Sequence, residues 1–189
     1  MLDLHFVIPE LAVGASFPMK AAPRLASEHR IGRVVDLREE ARDDEVLLGV
    51  HGIRLLHLPT PDCHAISPAH IKAGVSFTVE GLARGERVFI HCQYGIGRSA
   101  LLALCVLVAH GEPPVEAMAR LKRARPTISP SPEQLSAFVG YCRDLRGERG
   151  AAWSLPAVER LGAIAWRHLV RDRAGPDEAA ARAASTRRS

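Results

Sequence analysis

The sequence is short of several things, and each shortage narrows what the chain does. Its 189 residues include four cysteines, Cys63, Cys92, Cys105 and Cys142, with no CxxC pair and no nearby histidine at zinc-ligand spacing. That argues against a disulfide framework and against a zinc module. No hydrophobic run is long: the longest, residues 100–109, falls far short of the roughly 20 residues a membrane-spanning helix needs. The N-terminus lacks a basic stretch followed by an apolar core, so the reading predicts a cytoplasmic protein with no secretory signal. Charge of one sign is also scarce. The net charge is +4; residues 1–142 hold 15 basic and 15 acidic side chains, and residues 143–189 hold 10 and 6. An excess so small and so interleaved with acids argues against nucleic acid or an anionic membrane as partner. No internal repeat is visible.

What is present is the balance of a globular domain, 47% apolar and 24% charged. Residues 33–37, 53–58 and 88–91 read as short buried strands, and 11–13 as a weaker one. Helical patterns separate them, which predicts an α/β fold with a central four- or five-stranded, mostly parallel sheet flanked by helices. Ser67 and Pro68 fit an N-cap and first turn, Ile71, Val75, Thr78 and Leu82 give one face, and Gly85 is the stop. A helix apolar all round, and so buried, begins near Gly97 and runs to Gly111. Another follows Pro113 and ends before Pro126. Leu135, Phe138, Val139, Cys142 and Leu145 mark an amphipathic helix. Residues 146–153 read as a linker, residues 156–171 as a further helix, and residues from 174 on as a disordered tail. The division expected is a catalytic domain over 1–146, linker plus helix over 147–173, and tail over 174–189.

Chemistry concentrates between His91 and Ser99. A buried strand ends at His91, a loop containing Gly95 and Gly97 follows, and a helix starts at its far end. Loop and first-turn N–H groups then converge on one concavity, and the helix dipole adds partial positive charge. Gln93, Tyr94, Gly95, Ile96, Gly97 and Arg98 would cradle an oxyanion. Cys92 sits at the floor, where the same donors favour a thiolate. The planar fork of Arg98 grips two phosphate oxygens together. A thiolate aimed at bound phosphorus is set for in-line attack and a phosphocysteine intermediate. The bland alternatives are a buried thiol at Cys92, a surface arginine at Arg98 and simple capping by Ser99. The glycine loop weighs against the first, and the helix dipole against the second.

His91, Cys92, Gly95, Arg98 and Ser99 fill every fixed position of the pattern HC-x-x-G-x-x-R-[ST]. The chain thereby resembles the protein tyrosine phosphatase superfamily, and its segment lengths resemble the small dual-specificity branch, over roughly residues 11–146. Weaker shared features are residues 35–38 and 58–62. The resemblance implies that His91 orients the loop and that Ser99 assists the thiol as leaving group. It also implies a general acid about 30 residues before the nucleophile. Asp62 stands there, with Asp43 and Asp44 in a charged surface stretch and Asp36 within a strand as rivals. It further implies a phosphorylated protein or peptide substrate, phosphotyrosine with some phosphoserine or phosphothreonine, and a mechanism that needs no cofactor or metal.

Gln93, Tyr94 and Ile96 supply no cation, which weighs against a phosphoinositide or an RNA 5′ phosphate. Both stay open, as do a phosphate-binding module without turnover and rhodanese-like or arsenate-reducing chemistry. Cys63 reads as a loop cysteine or as a redox partner of Cys92. Cys105 and Cys142 read as core. Arg120, Lys122, Arg123 and Arg125 read as a solvated helix face or as an attractor of acidic substrates.

Overall fold

The structure is a computed structural model and is described here over residues 2–167 and 169. Five strands form one sheet: β1 (Leu4–Ile8), β2 (Leu11–Ala15), β3 (Ile31–Arg38), β4 (Arg54–Thr60) and β5 (Arg87–Cys92), in the order β1-β2-β5-β3-β4. β1 runs antiparallel to β2 and every other pairing is parallel. β5 therefore lies centrally, between β2 and β3, and its carboxyl end opens where ligands gather in parallel sheets.

The sheet is as expected, with β1 added at its edge. β1 eluded the sequence reading because only Val7 is buried in it, so its apolar alternation is weak. Two six-residue helices, α1 (Ala22–Ser27) and α2 (Glu45–Val50), were also not expected; each is too short to show a period. The longer helices match the reading: α3 (Pro68–Ala83), capped by Ser67, α4 (Arg98–Ala109), α5 (Pro114–Ala124), and α6 (Pro132–Arg149). α6 corrects the expected linker. Gly147 is carried inside the helix, which ends only at Gly150 in the left-handed conformation, φ 61°. α7 (Val158–Ala165) puts Leu161 and Ala165 into the main core. The expected tail lies outside the described residues.

Every residue of α4 is buried. Burying a Leu or Val side chain stabilises by about 1.5–3 kcal/mol, so this helix is fixed by its whole circumference. Its N-terminus consequently has a fixed place relative to β5, and the loop between them is held at both ends. Cys105 and Cys142 are core, as expected.

Candidate active site

The loop 93–97 joins β5 to α4, with Gly97 as the N-cap. Its carbonyls explain its shape. Ser16 donates from its backbone N–H and its hydroxyl to the Gln93 carbonyl, at 3.2 and 3.3 Å. Arg125 donates to the Tyr94 carbonyl through Nη2, 3.0 Å, and to the Gly95 carbonyl through Nε, 2.6 Å. The Ser129 N–H donates to the Ile96 carbonyl at 3.0 Å. Four successive carbonyls are thus bonded on the outer side. No peptide bond among the described residues is cis, and in a planar trans peptide the N–H points opposite to the carbonyl before it. The N–H groups of Tyr94, Gly95, Ile96 and Gly97 therefore turn inward, a geometry able to receive an oxyanion.

Gly95 makes the turn possible. Its φ is +66°, and a Cβ there would lie 2.3 Å from the Gly14 carbonyl carbon of β2. Both the dihedral and the close approach exclude a side chain.

Cys92 is buried, and its Sγ lies 3.5 Å from the Ser99 hydroxyl. Arg98 is 1% exposed. Its Nη1 and Nη2 grip Glu40 end-on at 2.8 and 2.7 Å, and Nη1 also donates to the Thr60 carbonyl at 2.8 Å. Nη2 further lies 3.0 Å from Asp62 Oδ1. Nε–H, on the side edge of the guanidinium, has no partner among the described residues. A buried donor left unpaired is costly, and a phosphoryl oxygen is the ligand that would satisfy it. Burial is the largest single influence and works against the Arg98 charge, but hydrogen bonding to Glu40 and the charges of the surrounding acidic groups together outweigh it and raise the pKa. The same hydrogen bonds hold the Glu40 carboxyl at about 2, against an ordinary 4.5.

Asp62 follows β4, half-exposed, and the next residue, Cys63, has φ +64°. That bend is held from α6. Ser131 donates to the Cys63 carbonyl, Gln134 to the His64 carbonyl at 2.9 Å, and Glu133 accepts from the Ala65 N–H. Of the four candidate acids, Asp62 is the one that touches Arg98. Cys63 is exposed and free.

Asp43 corrects the sequence reading: it is buried, not on a charged surface. His91 donates from Nε2 to Asp43 Oδ2 at 2.9 Å; a carboxylate only accepts, so Nε2 carries the proton. Arg38 bridges Asp36 (2.9 Å) and Asp43 (2.6 Å), and the Asp43 N–H binds Asp36. Burial alone would raise the Asp36 pKa, but the hydrogen bonds from Arg38 and the charge of His91 bring it below the ordinary value. Asp36, Asp43 and His91 have the donor types of a metal site. The guanidinium of Arg38 lies on both carboxylates and already supplies their counter-charge. This network anchors the loop that carries Glu40. Asp44 caps α2 instead, accepting from the Leu47 N–H.

The basic cluster is corrected as well. Lys122 and Arg125 are buried. Lys122 donates to the Ile128 and Ala165 carbonyls, tying α5 to α7. Arg125 pairs with Asp3 besides holding the loop. Glu40, Arg125 and Gln134 are thus parts of the site that sequence reading missed. Only distant spacing links them to the signature, so no local pattern exposed them. A larger apolar cleft of about 930 Å³, lined by Ile71, Val75, Tyr141 and Leu145 among others, holds none of these groups.

A profile described as a DSP-PTPase phosphatase of a polymorphic toxin system matches residues 13–112, more than half of the chain. The chain belongs to this DSP-PTPase phosphatase family. Phosphatidylglycerophosphatase and protein-tyrosine phosphatase 1 of Mus musculus is 30% identical over 96 residues, 50% of this chain and 50% of that protein. Phosphatidylglycerophosphate phosphatase PTPMT2 of Arabidopsis thaliana is 30% identical over 137 residues, 70% of this chain and 60% of that protein. The chain thus spans about half of the mouse relative and under two thirds of the plant one. The crystal structure of PTPMT1 in complex with PI(5)P superposes with a TM-score of 0.73 at 24% identity, covering 79% of this chain and 99% of that one. That likeness bears on the fold alone, the five-stranded α/β architecture described above.

Proposed function

We propose that this DSP-PTPase phosphatase hydrolyses phosphomonoesters, phosphotyrosine among them, through a phosphocysteine intermediate. The observation that carries the reading is the loop 93–97. Its carbonyls are bonded outward, a thiol stands at one end, and an unpaired guanidinium N–H stands at the other. In the first step Cys92 Sγ attacks phosphorus and the bond to the ester oxygen breaks. Asp62 gives its proton to the leaving oxygen. Arg98 Nε and Nη2 and the inward N–H groups take the equatorial oxygens, where charge is spread in the transition state. Asp62 must give up Nη2 to the phosphoryl group, and the exposed bend at Cys63 leaves it room to move. In the second step Asp62 takes a proton from water, the water oxygen attacks phosphorus, and the S–P bond breaks. The Ser99 hydroxyl, 3.5 Å from Sγ, donates to the departing thiolate. His91 acts as a positioning residue through Asp43.

A second reading has a lipid phosphomonoester as substrate. Its support is that two relatives are named as phosphatidylglycerophosphate-directed phosphatases and that a structural neighbour was solved with PI(5)P. Its difficulty is that Gln93, Tyr94 and Ile96 offer a polyanionic headgroup no cation. The test is hydrolysis of a generic aryl phosphate, without divalent metal, by the wild type, Cys92→Ser and Arg98→Lys. The wild type is expected to turn over and Cys92→Ser to be inert. Arg98→Lys is expected to fall by at least about 10²-fold, the scale of one lost transition-state contact. Turnover by Cys92→Ser sinks the mechanism.

A further inference from the structure

The cleft above the loop has an unusual electrostatic lining. It encloses about 500 Å³ and is lined by Glu39, Glu40, Ala41, Asp62, Gln93 and Tyr94. The charged lining residues are all carboxylates. The neighbouring arginines are spoken for: Arg38 pairs with Asp36 and Asp43, Arg42 pairs with Glu45 at 2.8 Å, and Arg125, which holds the Tyr94 carbonyl, is buried on Asp3. The floor guanidinium, Arg98, is already bridged by Glu40 and Asp62. Glu39 is exposed and makes no ion pair among the described residues. Tyr94 lines the same cleft, 61% exposed, with its backbone fixed because Arg125 holds its carbonyl. Carboxylate and aromatic face together form the usual receptor for an ammonium or guanidinium group. Arg98, 1% exposed and with its Nε–H unpaired, marks where the phosphoryl group of the same ligand goes.

We infer that the cleft selects phosphotyrosine peptides with Arg or Lys next to the phosphorylated residue. The phosphoryl group goes to Arg98 and the loop amides, and the neighbouring cation to Glu39 and the face of Tyr94. The inference rests on the phosphatase reading above and names its substrate class. Glu39, the lining carboxylate that Arg98 does not pair with, weighs against a polyanionic headgroup.

The experiment uses the full chain and three phosphotyrosine peptides that differ only in having Arg, Gln or Glu beside the phosphotyrosine. Vesicles of phosphatidylcholine containing phosphatidylinositol 5-phosphate, and an aryl phosphate with an uncharged ring, complete the set. The expected order of kcat/KM is Arg, then Gln, then Glu, with about a 10-fold span at low salt, the scale of one or two exposed charge contacts. The span contracts in about 0.5 M salt, where such contacts are screened. Glu39→Gln lowers the Arg-to-Glu ratio to about 3-fold, and Glu39→Lys inverts it. The ratio is internal to each variant, so a change in overall activity does not disturb it. Equal rates for the three peptides, a faster Glu peptide, or the lipid vesicles as best substrate would each overturn the inference while aryl phosphate turnover persists. If the wild type fails on the aryl phosphate too, the phosphatase reading itself is what has failed.

Discussion

Arg125 is the perturbation that tests the loop architecture most sharply. The account makes it the outer clamp on two of the four carbonyls that turn the N–H groups inward. Arg125→Met keeps the bulk of the stem and removes the donors. Two hydrogen bonds from a charged donor to loop carbonyls are lost, at 2.6 and 3.0 Å, each about 1.5–3 kcal/mol. The ion pair with Asp3 adds little, because Asp3 is 47% exposed and water replaces its partner. A loss of about 3–6 kcal/mol in unfolding free energy is expected, read by urea titration. Stability alone would not distinguish a clamp from an ordinary buried arginine. The kinetics do. With the carbonyls of Tyr94 and Gly95 released, the peptide planes are free to rotate and the N–H groups of Gly95 and Ile96 leave the cradle. Losing donors of this kind costs about 10² or more in kcat. The assay is kcat/KM for an aryl phosphate at a temperature where the variant remains fully folded by circular dichroism. A folded variant within about threefold of wild type would refute the clamp.

Other perturbations follow from the same geometry. Glu40→Gln removes the carboxylate that Arg98 holds at a pKa of about 2 against an ordinary 4.5. Because the folded pKa is depressed, the stabilisation is complete above about pH 4.5 and is lost as the pH falls toward 2. The gap in unfolding free energy between wild type and Glu40→Gln should therefore close on acidification through that window; a gap that stays constant would contradict the pairing. Asp62→Ala should lower kcat for phosphotyrosine about 10²-fold or more, and should do so less for an aryl phosphate whose leaving group needs no proton. Equal losses on both would remove Asp62 as the acid. Gly95→Ala forces a side chain into left-handed backbone, about 1–2 kcal/mol, and into Gly14. Thermal unfolding should drop and aryl phosphate turnover collapse; a variant with full activity would show that the loop takes another path.

How much of this was legible in the sequence follows from where the information lies. The strand ending at Cys92 and the helix beginning after Gly97 were legible, because signature, apolar strand and apolar helix are contiguous. The sheet and its four longer flanking helices were legible through period and caps such as Ser67. β1 was not, because an edge strand with one buried residue carries little alternation. Asp43 looked like one of several surface acids. Its burial depends on Arg38 and His91 meeting it in space, and His91 is 48 residues away. Arg125 looked like a member of a basic helix face, yet it sits at the C-cap of α5, where the chain turns back toward the loop. Gly147 looked like a linker residue because glycine lowers helix propensity. The surrounding turns of α6 carry it through, and the chain stops at Gly150 instead. For Asp43 and Arg125 the missing term was a long-range contact, which no local pattern encodes.

The central claim is that Cys92 carries the phosphoryl group between substrate and water. Acid quenching of the enzyme during steady turnover of an aryl phosphate, followed by peptide mass spectrometry, reads this directly. The account predicts one phosphate on the thiol of Cys92, increased in Ser99→Ala, where the leaving thiolate loses its hydrogen bond. Turnover with Cys92 unmodified at every quench time, or the phosphate found on a different side chain, would contradict it.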